Sequence, residues 1–192
     1  MARWQPGATQ RLVAAAVDLF AEQGYDATTV AQIAERAGVT RSTFFRHFSD
    51  KRELLVAGQE TLSRLLADGI TEAPANASPL EAVAAGLERA SGEMGPANRE
   101  LGPRIRAAVA ASTELQERDT LKSVGLAAAM TAALVARGVP EPTAHLAGEM
   151  GVLAFKRGYT RWSAGDRDDG TGLAPHALAA LDELRTATAS LG

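Results

Sequence analysis

The stretch from Thr29 to Phe48 constrains this chain most, because apolar residues recur at helical spacing on both sides of a single glycine. Val30, Ile33 and Ala34 share the inner face of one short helix. Ala37-Gly38-Val39 reads as a tight turn, with Gly38 free to take a positive φ that a Cβ would oppose. Val39 fills the space between the two helices. Thr40 suits the N-cap of a second helix, Arg41 to His47, because its hydroxyl can accept from an unpaired N–H of the first turn. Phe44 and Phe48 lie four residues apart and turn inward, which leaves Arg41, Ser42, Phe45 and Arg46 outside. Upstream, Val13, Val17 and Phe20 run beside Leu12, Ala16 and Leu19, predicting a well-buried helix from about Thr9 to Gln23. Gly24 is placed to end it, and Thr28 or Thr29 to cap the next.

The remainder reads as helix throughout. Alanine is abundant, aromatic residues make up 5% and β-branched runs are scarce, so the expected class is all-α. A long helix is predicted from Asp50 to about Ile70, with Leu54, Leu55, Leu62, Leu65 and Leu66 as its apolar stripe. The run 72–79 (EAPANASP) breaks it with two prolines. Further helices are predicted at about 80–91, 98–111 (bent at Gly102-Pro103), 114–137, 142–163 and 174–189. Thr113 with Gln116 reads as a capping box opening the helix at 114–137, and 165–172 (GDRDDGTG) as a polar turn. The total is about nine helices. The expected division is a three-helix helix-turn-helix domain at 1–52 and a larger helical domain at 53–192.

Several function classes are excluded or disfavoured. Without cysteine there is no disulfide scaffold and no thiolate zinc site. Three scattered histidines lack carboxylates at ligand spacing, so no metal is expected. No zinc-peptidase motif, phosphate-binding loop or nucleophile elbow occurs, so neither an enzyme nor a cofactor is expected. Met1 to Arg11 lacks the apolar core of a signal peptide. The most apolar stretch, Val124 to Ala136, is shorter than the roughly 20 residues of a membrane span. Lys122 and Arg137 bound it, so it reads as a buried helix, and the expected location is cytoplasmic, away from the membrane.

Charge points to nucleic acid only through its placement. The net charge is −3, yet the segment 41–52 holds four basic residues and one acidic residue. A helix such as 41–47 fits the major groove, where Arg41 or Arg46 can pair with guanine. Ser42 and Thr43 can reach base edges or phosphate, and Phe45 a thymine methyl or a sugar. Thr29 and Thr40, at the helix starts, and His47 complete the expected DNA-facing set. Lys51 joins them as a phosphate contact at the start of the following helix.

These residues resemble the DNA-binding domain of the TetR family. The matching positions are Thr29-Val30, Ile33-Ala34, Gly38-Val39, Thr43-Phe44-Phe45, His47-Phe48 and Lys51, with Phe20, Gly24 and Tyr25 before them. The resemblance covers about residues 9–56. One departure stands out: position 45 is usually tyrosine in the family, and Phe45 lacks the hydroxyl that commonly reaches the DNA backbone. The segments 111–130, 137–151 and 154–162 resemble an actinobacterial subgroup whose C-terminal domain takes acyl-CoA-like ligands.

The resemblance implies a homodimeric, ligand-responsive transcriptional regulator, with a DNA-binding domain at 1–52 and a ligand-binding and dimerisation domain at 53–192. It implies a repressor that binds a pseudo-palindromic double-stranded operator and is released by a small apolar or acyl-type effector. Dimerisation is expected through the helices at 142–163 and 174–189. Leu66, Met94, Leu101, Ile105, Leu121 and Met130 are the expected walls of the effector pocket. Arg104, Arg106, Arg118 and Lys122 read as surface charge, and Trp162 as core or interface. The alternative is a helical ligand- or partner-binding dimer in which DNA binding is vestigial.

Overall fold

The computed structural model describes residues 7–164 and 171–191. The polar turn expected at 165–172 lies mostly outside them. Among the described residues there are nine α-helices and no strand. They are α1 (Ala8–Gln23), α2 (Val30–Arg36), α3 (Arg41–His47), α4 (Gln59–Glu72), α5 (Pro79–Gly92), α6 (Pro96–Ala110), α7 (Thr113–Ala136), α8 (Glu141–Ala164) and α9 (Leu173–Ala189). A short 3₁₀ helix, Lys51–Val56, lies between α3 and α4.

That 3₁₀ segment corrects the continuous helix expected from Asp50 to Ile70. Gly58 sits at φ 76°, a left-handed conformation that stops one helix and starts α4 at Gln59. The leucine stripe survives the break, with Leu54, Leu62 and Leu66 all buried. Apolar periodicity alone therefore did not report the interruption.

The chain forms two compact units. The first takes the chain up to Ala57 together with Pro103–Leu121; the second takes Gly58–Gly102 and the chain from Lys122 onward. Residues 103–121 thus belong with the N-terminal helices, not with the C-terminal domain to which the sequence reading assigns them. The reason is apolar burial: Ala108 and Leu115 are in the N-terminal core, and Ile105 and Val109 pack against it. Asp18 on α1 and Arg104 on α6 add an ion pair. The cap of α7 also differs from the expected one. Ser112, not Thr113, precedes the first turn, and its hydroxyl accepts from the Leu115 N–H at 3.5 Å.

Within the first unit, Leu12, Ala16, Phe20, Ile33 and Phe44 close over one another, each no more than 3% exposed. Burial on this scale, at roughly 25 cal/mol per Å² of apolar surface, is what holds helices too short to be stable alone.

The second unit is built on small residues. Gly69 and Gly86 let α4 and α5 cross so closely that a Cβ on Gly69 would meet the Gly86 Cα at 2.7 Å. Gly158 does the same for α8 against Ala177 of α9. Ser78 and Glu81 cap α5 reciprocally, with Pro79 at its first position. The Arg137 guanidinium gathers the carbonyls of Thr71, Ala73 and Pro74 at 3.2, 2.8 and 2.6 Å, fixing the α4–α5 connection. Trp162 is core, 4% exposed, and its indole N–H donates to the Thr171 carbonyl.

Helix α7 differs from the buried helix expected at its apolar end. Val124 is 58% exposed and Val135 45%, and the helix is long and apolar enough to cross a membrane by length and composition alone. Its other face is core: Leu126, Met130 and Leu134 are buried.

Candidate nucleic-acid interface

Local chemistry sets the two short helices. Thr29 caps α2: its hydroxyl accepts from the Gln32 N–H, and the Gln32 side chain accepts from the Thr29 N–H at 2.9 Å. Thr40 caps α3, accepting from the Thr43 N–H at 3.1 Å. Between them Gly38 lies at φ 66°, as the turn requires. Arg11 reaches from α1 to the Ala37 carbonyl at 3.2 Å and steadies that turn.

Aromatic contacts then orient α3. Phe44 is fully buried and Phe48 6% exposed, their ring centroids 5.7 Å apart. Phe45 stands edge-on to Phe44 at 5.4 Å and remains 50% exposed. With the inner face anchored, Arg41, Ser42, Arg46 and His47 all face solvent. Neither Arg41 nor Arg46 has an ion-pair partner among the described residues. Other arginines of the unit are committed, Arg36 to Glu22 at 2.8 Å and Arg52 to Asp50. The outer face of α3 therefore carries two open guanidiniums beside an exposed ring.

The remaining predicted residues sort differently. Thr43 is half-buried, its hydroxyl 3.0 Å from that of Thr40, so it completes the cap. His47 approaches the Thr9 hydroxyl of α1 at 3.4 Å. Lys51 departs from expectation. Its ammonium donates to the carbonyls of Tyr25, Thr28 and Asp26 at 2.6, 2.9 and 3.4 Å, and lies 4.1 Å from the centre of the Tyr25 ring. An ammonium has three N–H donors, and all three have acceptors here. Nor is the adjoining helix start open to phosphate, since Asp50 already accepts from the N–H groups of Arg52 and Glu53 at 2.7 and 3.3 Å.

Sequence reasoning missed Tyr25 and Glu114. Tyr25 is 6% exposed and lies near the Glu114 carboxylate in the first turn of α7. Burial, then the charge of Glu114, push the Tyr25 phenol well above its ordinary value. Arg52 stands 3.7 Å from the same Glu114 carboxylate. The hydrogen bond from Arg52 holds the Asp50 carboxyl below the usual range despite partial burial. Nothing local in the sequence marks these partners, which lie tens of residues apart.

The expected pocket walls are divided between the two units, Leu66, Met94, Leu101 and Met130 in the second and Ile105 and Leu121 in the first. Leu66 and Met130 are fully buried in the C-terminal core, and Met94 packs against it. Ile105 packs on the N-terminal core instead, Leu101 is half-buried, and Leu121 is 59% exposed. Among the described residues no three His, Cys, Asp or Glu side chains converge where a metal ion would sit.

With this geometry in hand, residues 12–57 match the model of the bacterial regulatory proteins of the tetR family. The similarity to the tetR family thus runs from α1 through the 3₁₀ segment. That family is one of bacterial regulatory proteins, and the curated relatives are HTH-type transcriptional regulators. The transcriptional regulator TcmR of Streptomyces glaucescens is 34% identical over 97 residues, 46% of this chain and 43% of that protein. The chain spans less than half the length of the curated relatives it matches. A TetR-family regulator structure from Syntrophomonas wolfei covers 96% of both chains at a TM-score of 0.61 and 17% identity. The regulator FadR of Bacillus subtilis, in complex with stearoyl-CoA, covers 90% of this chain and 95% of its own at a TM-score of 0.54 and 20% identity. At such identities these two similarities concern the fold alone, over the residues of both units.

Proposed function

We propose that this chain is a ligand-responsive transcriptional repressor that binds a pseudo-palindromic operator as a homodimer. One observation carries the reading: the inner face of α3 is locked by Phe44 while Arg41, Ser42, Phe45 and Arg46 project together from its outer face. A TetR-type helix of this kind enters the major groove, where each guanidinium can bond a guanine bidentately. A two-fold dimer then reads two half-sites about 34–36 Å apart. Leu146 and Leu153, two turns apart on α8, are exposed apolar residues that suit an interface through α8 and α9. The location proposed is the cytoplasm, where the operator is.

The effector proposed is a small apolar or acyl-type molecule. The apolar core of the C-terminal unit, with Met94 and Met130 among its side chains, suits such a ligand. FadR, of the same fold, is described with stearoyl-CoA, so this architecture admits an acyl thioester. Release from DNA requires only that the effector bind the DNA-free conformation more tightly than the bound one.

The test is a titration of the purified protein against DNA from upstream of its own gene. Arg41→Ala and Arg46→Ala should each cost about 1–3 kcal/mol of specific binding. Affinity and sequence preference unchanged in both variants would remove α3 from the role of reading helix.

A further inference from the structure

Resting on the DNA-binding reading just given, we propose that Lys51 positions the helix-turn-helix and makes no contact with phosphate. The lysine follows α3, while its three acceptor carbonyls, of Tyr25, Asp26 and Thr28, precede α2. The chain between them, α2, the Gly38 turn and α3, is thereby closed into a loop by one side chain. Thr28 immediately precedes Thr29, the residue that caps α2, so the lysine fixes where α2 begins relative to the end of α3. The Tyr25 ring lies beneath the ammonium and adds a cation–π contact. No donor is left over for DNA.

The clasp has a second side. Tyr25 offers its ring face to Lys51 and is itself buried, its ring 5.1 Å from that of Phe20 on α1. Thr28 is held as well, its hydroxyl donating to the Gly24 carbonyl at 2.7 Å and accepting from Gln23 at 3.2 Å. The three acceptors thus come from a loop that is itself fixed, and a lysine bonded to a fixed loop transmits position rather than charge.

Two measurements decide the matter. The first uses the unmodified protein without DNA: timed acetylation with an N-hydroxysuccinimide ester, read by peptide mass spectrometry across the chain's three lysines, Lys51, Lys122 and Lys156. Lys51 should react about tenfold more slowly than Lys156, because its donors are committed to three carbonyls. Equal reactivity would overturn the clasp, whatever the protein does with DNA. The second compares the wild type with Lys51→Met for operator affinity over a range of salt concentrations. A positioning role predicts about a tenfold loss of affinity with the slope of log K against log salt unchanged. A phosphate ligand would instead lower that slope by about one, and this result would overturn the proposal. Should Lys51→Met not fold, Lys51→Arg replaces it in the same titration. A guanidinium keeps the charge and can still reach phosphate, but has a different shape from the ammonium seated over Tyr25. Loss of affinity at constant slope supports positioning; wild-type affinity overturns it. A wild type with no specific DNA binding would sink the functional reading, while the acetylation result would still stand or fall on its own.

Discussion

The basic stretch from Arg41 to Arg52 divides into two halves with opposite fates. Arg41 and Arg46 project from α3 without ion-pair partners among the described residues. Lys51 and Arg52, a few residues later, are already paired, the one to three carbonyls and the other, at the surface, to Asp50 and the neighbourhood of Glu114. The formal charges are alike, but their availability to a polyanion differs. The difference follows from what each half must do locally. Helix α3 satisfies its own backbone and keeps its outer side chains free, whereas the chain around Lys51 joins α3 to the 3₁₀ segment beside a loop with open carbonyls. A count of positive residues therefore overstates the charge that this unit can offer to DNA.

The comparison can be broken most severely at its anchor. Phe44→Ala removes a fully buried ring on which the outward direction of Arg41 and Arg46 depends, and should cost about 3–5 kcal/mol in chemical denaturation. A cost under about 1 kcal/mol would mean that α3 is not held by its inner face. The committed half comes next. Lys51→Met leaves three carbonyls without their donor and should destabilise the N-terminal unit by about 1–3 kcal/mol. Thr40→Ala deletes the cap of α3 and should cost about 1 kcal/mol, with Thr40→Ser restoring most of it.

Smaller effects are visible in pH titrations of thermal stability. The folded state holds the Asp50 carboxyl low, so its contribution is present above the ordinary carboxylate range and is lost as pH falls through the depressed value. It holds the Tyr25 phenol high, so that contribution is present below the ordinary phenol value of about 10 and is lost as pH rises beyond it. Asp50→Asn should flatten the acid limb and Tyr25→Phe the alkaline one; limbs unchanged by either would detach the shifts from these residues. The smallest effect completes the contrast. Arg41→Ala and Arg46→Ala should alter stability by less than about 0.5 kcal/mol while weakening DNA binding, which is the reverse weighting from Lys51.

Legibility in the sequence followed distance along the chain. The caps at Thr29 and Thr40, the turn at Gly38 and the inward Phe44 and Phe48 are interactions of residues three or four apart, and the sequence pattern places each of them where it stands. The TetR resemblance rests on those same positions. Even local reading slipped where one residue overrode a pattern: Gly58 broke a helix whose leucines kept their register, and Ser112 took the cap expected of Thr113. Which side of a long helix is covered was the least legible. Leu121 and Met130 both belong to α7, yet one faces out and the other is buried, because neighbouring helices cover only one side.

What the sequence by itself determined is the class of the fold, the succession of helices and which face of α3 turns inward, since side-chain periodicity and capping act within a turn or two of helix. Tertiary structure alone decided that residues 103–121 join the N-terminal unit, that Glu114 comes near Tyr25, and that Lys51 spends its charge on the loop before α2. Those outcomes depend on which buried surfaces and carbonyls meet after distant segments fold together. A lysine near a recognition helix looks the same in a sequence whether it awaits a phosphate or has already found three carbonyls.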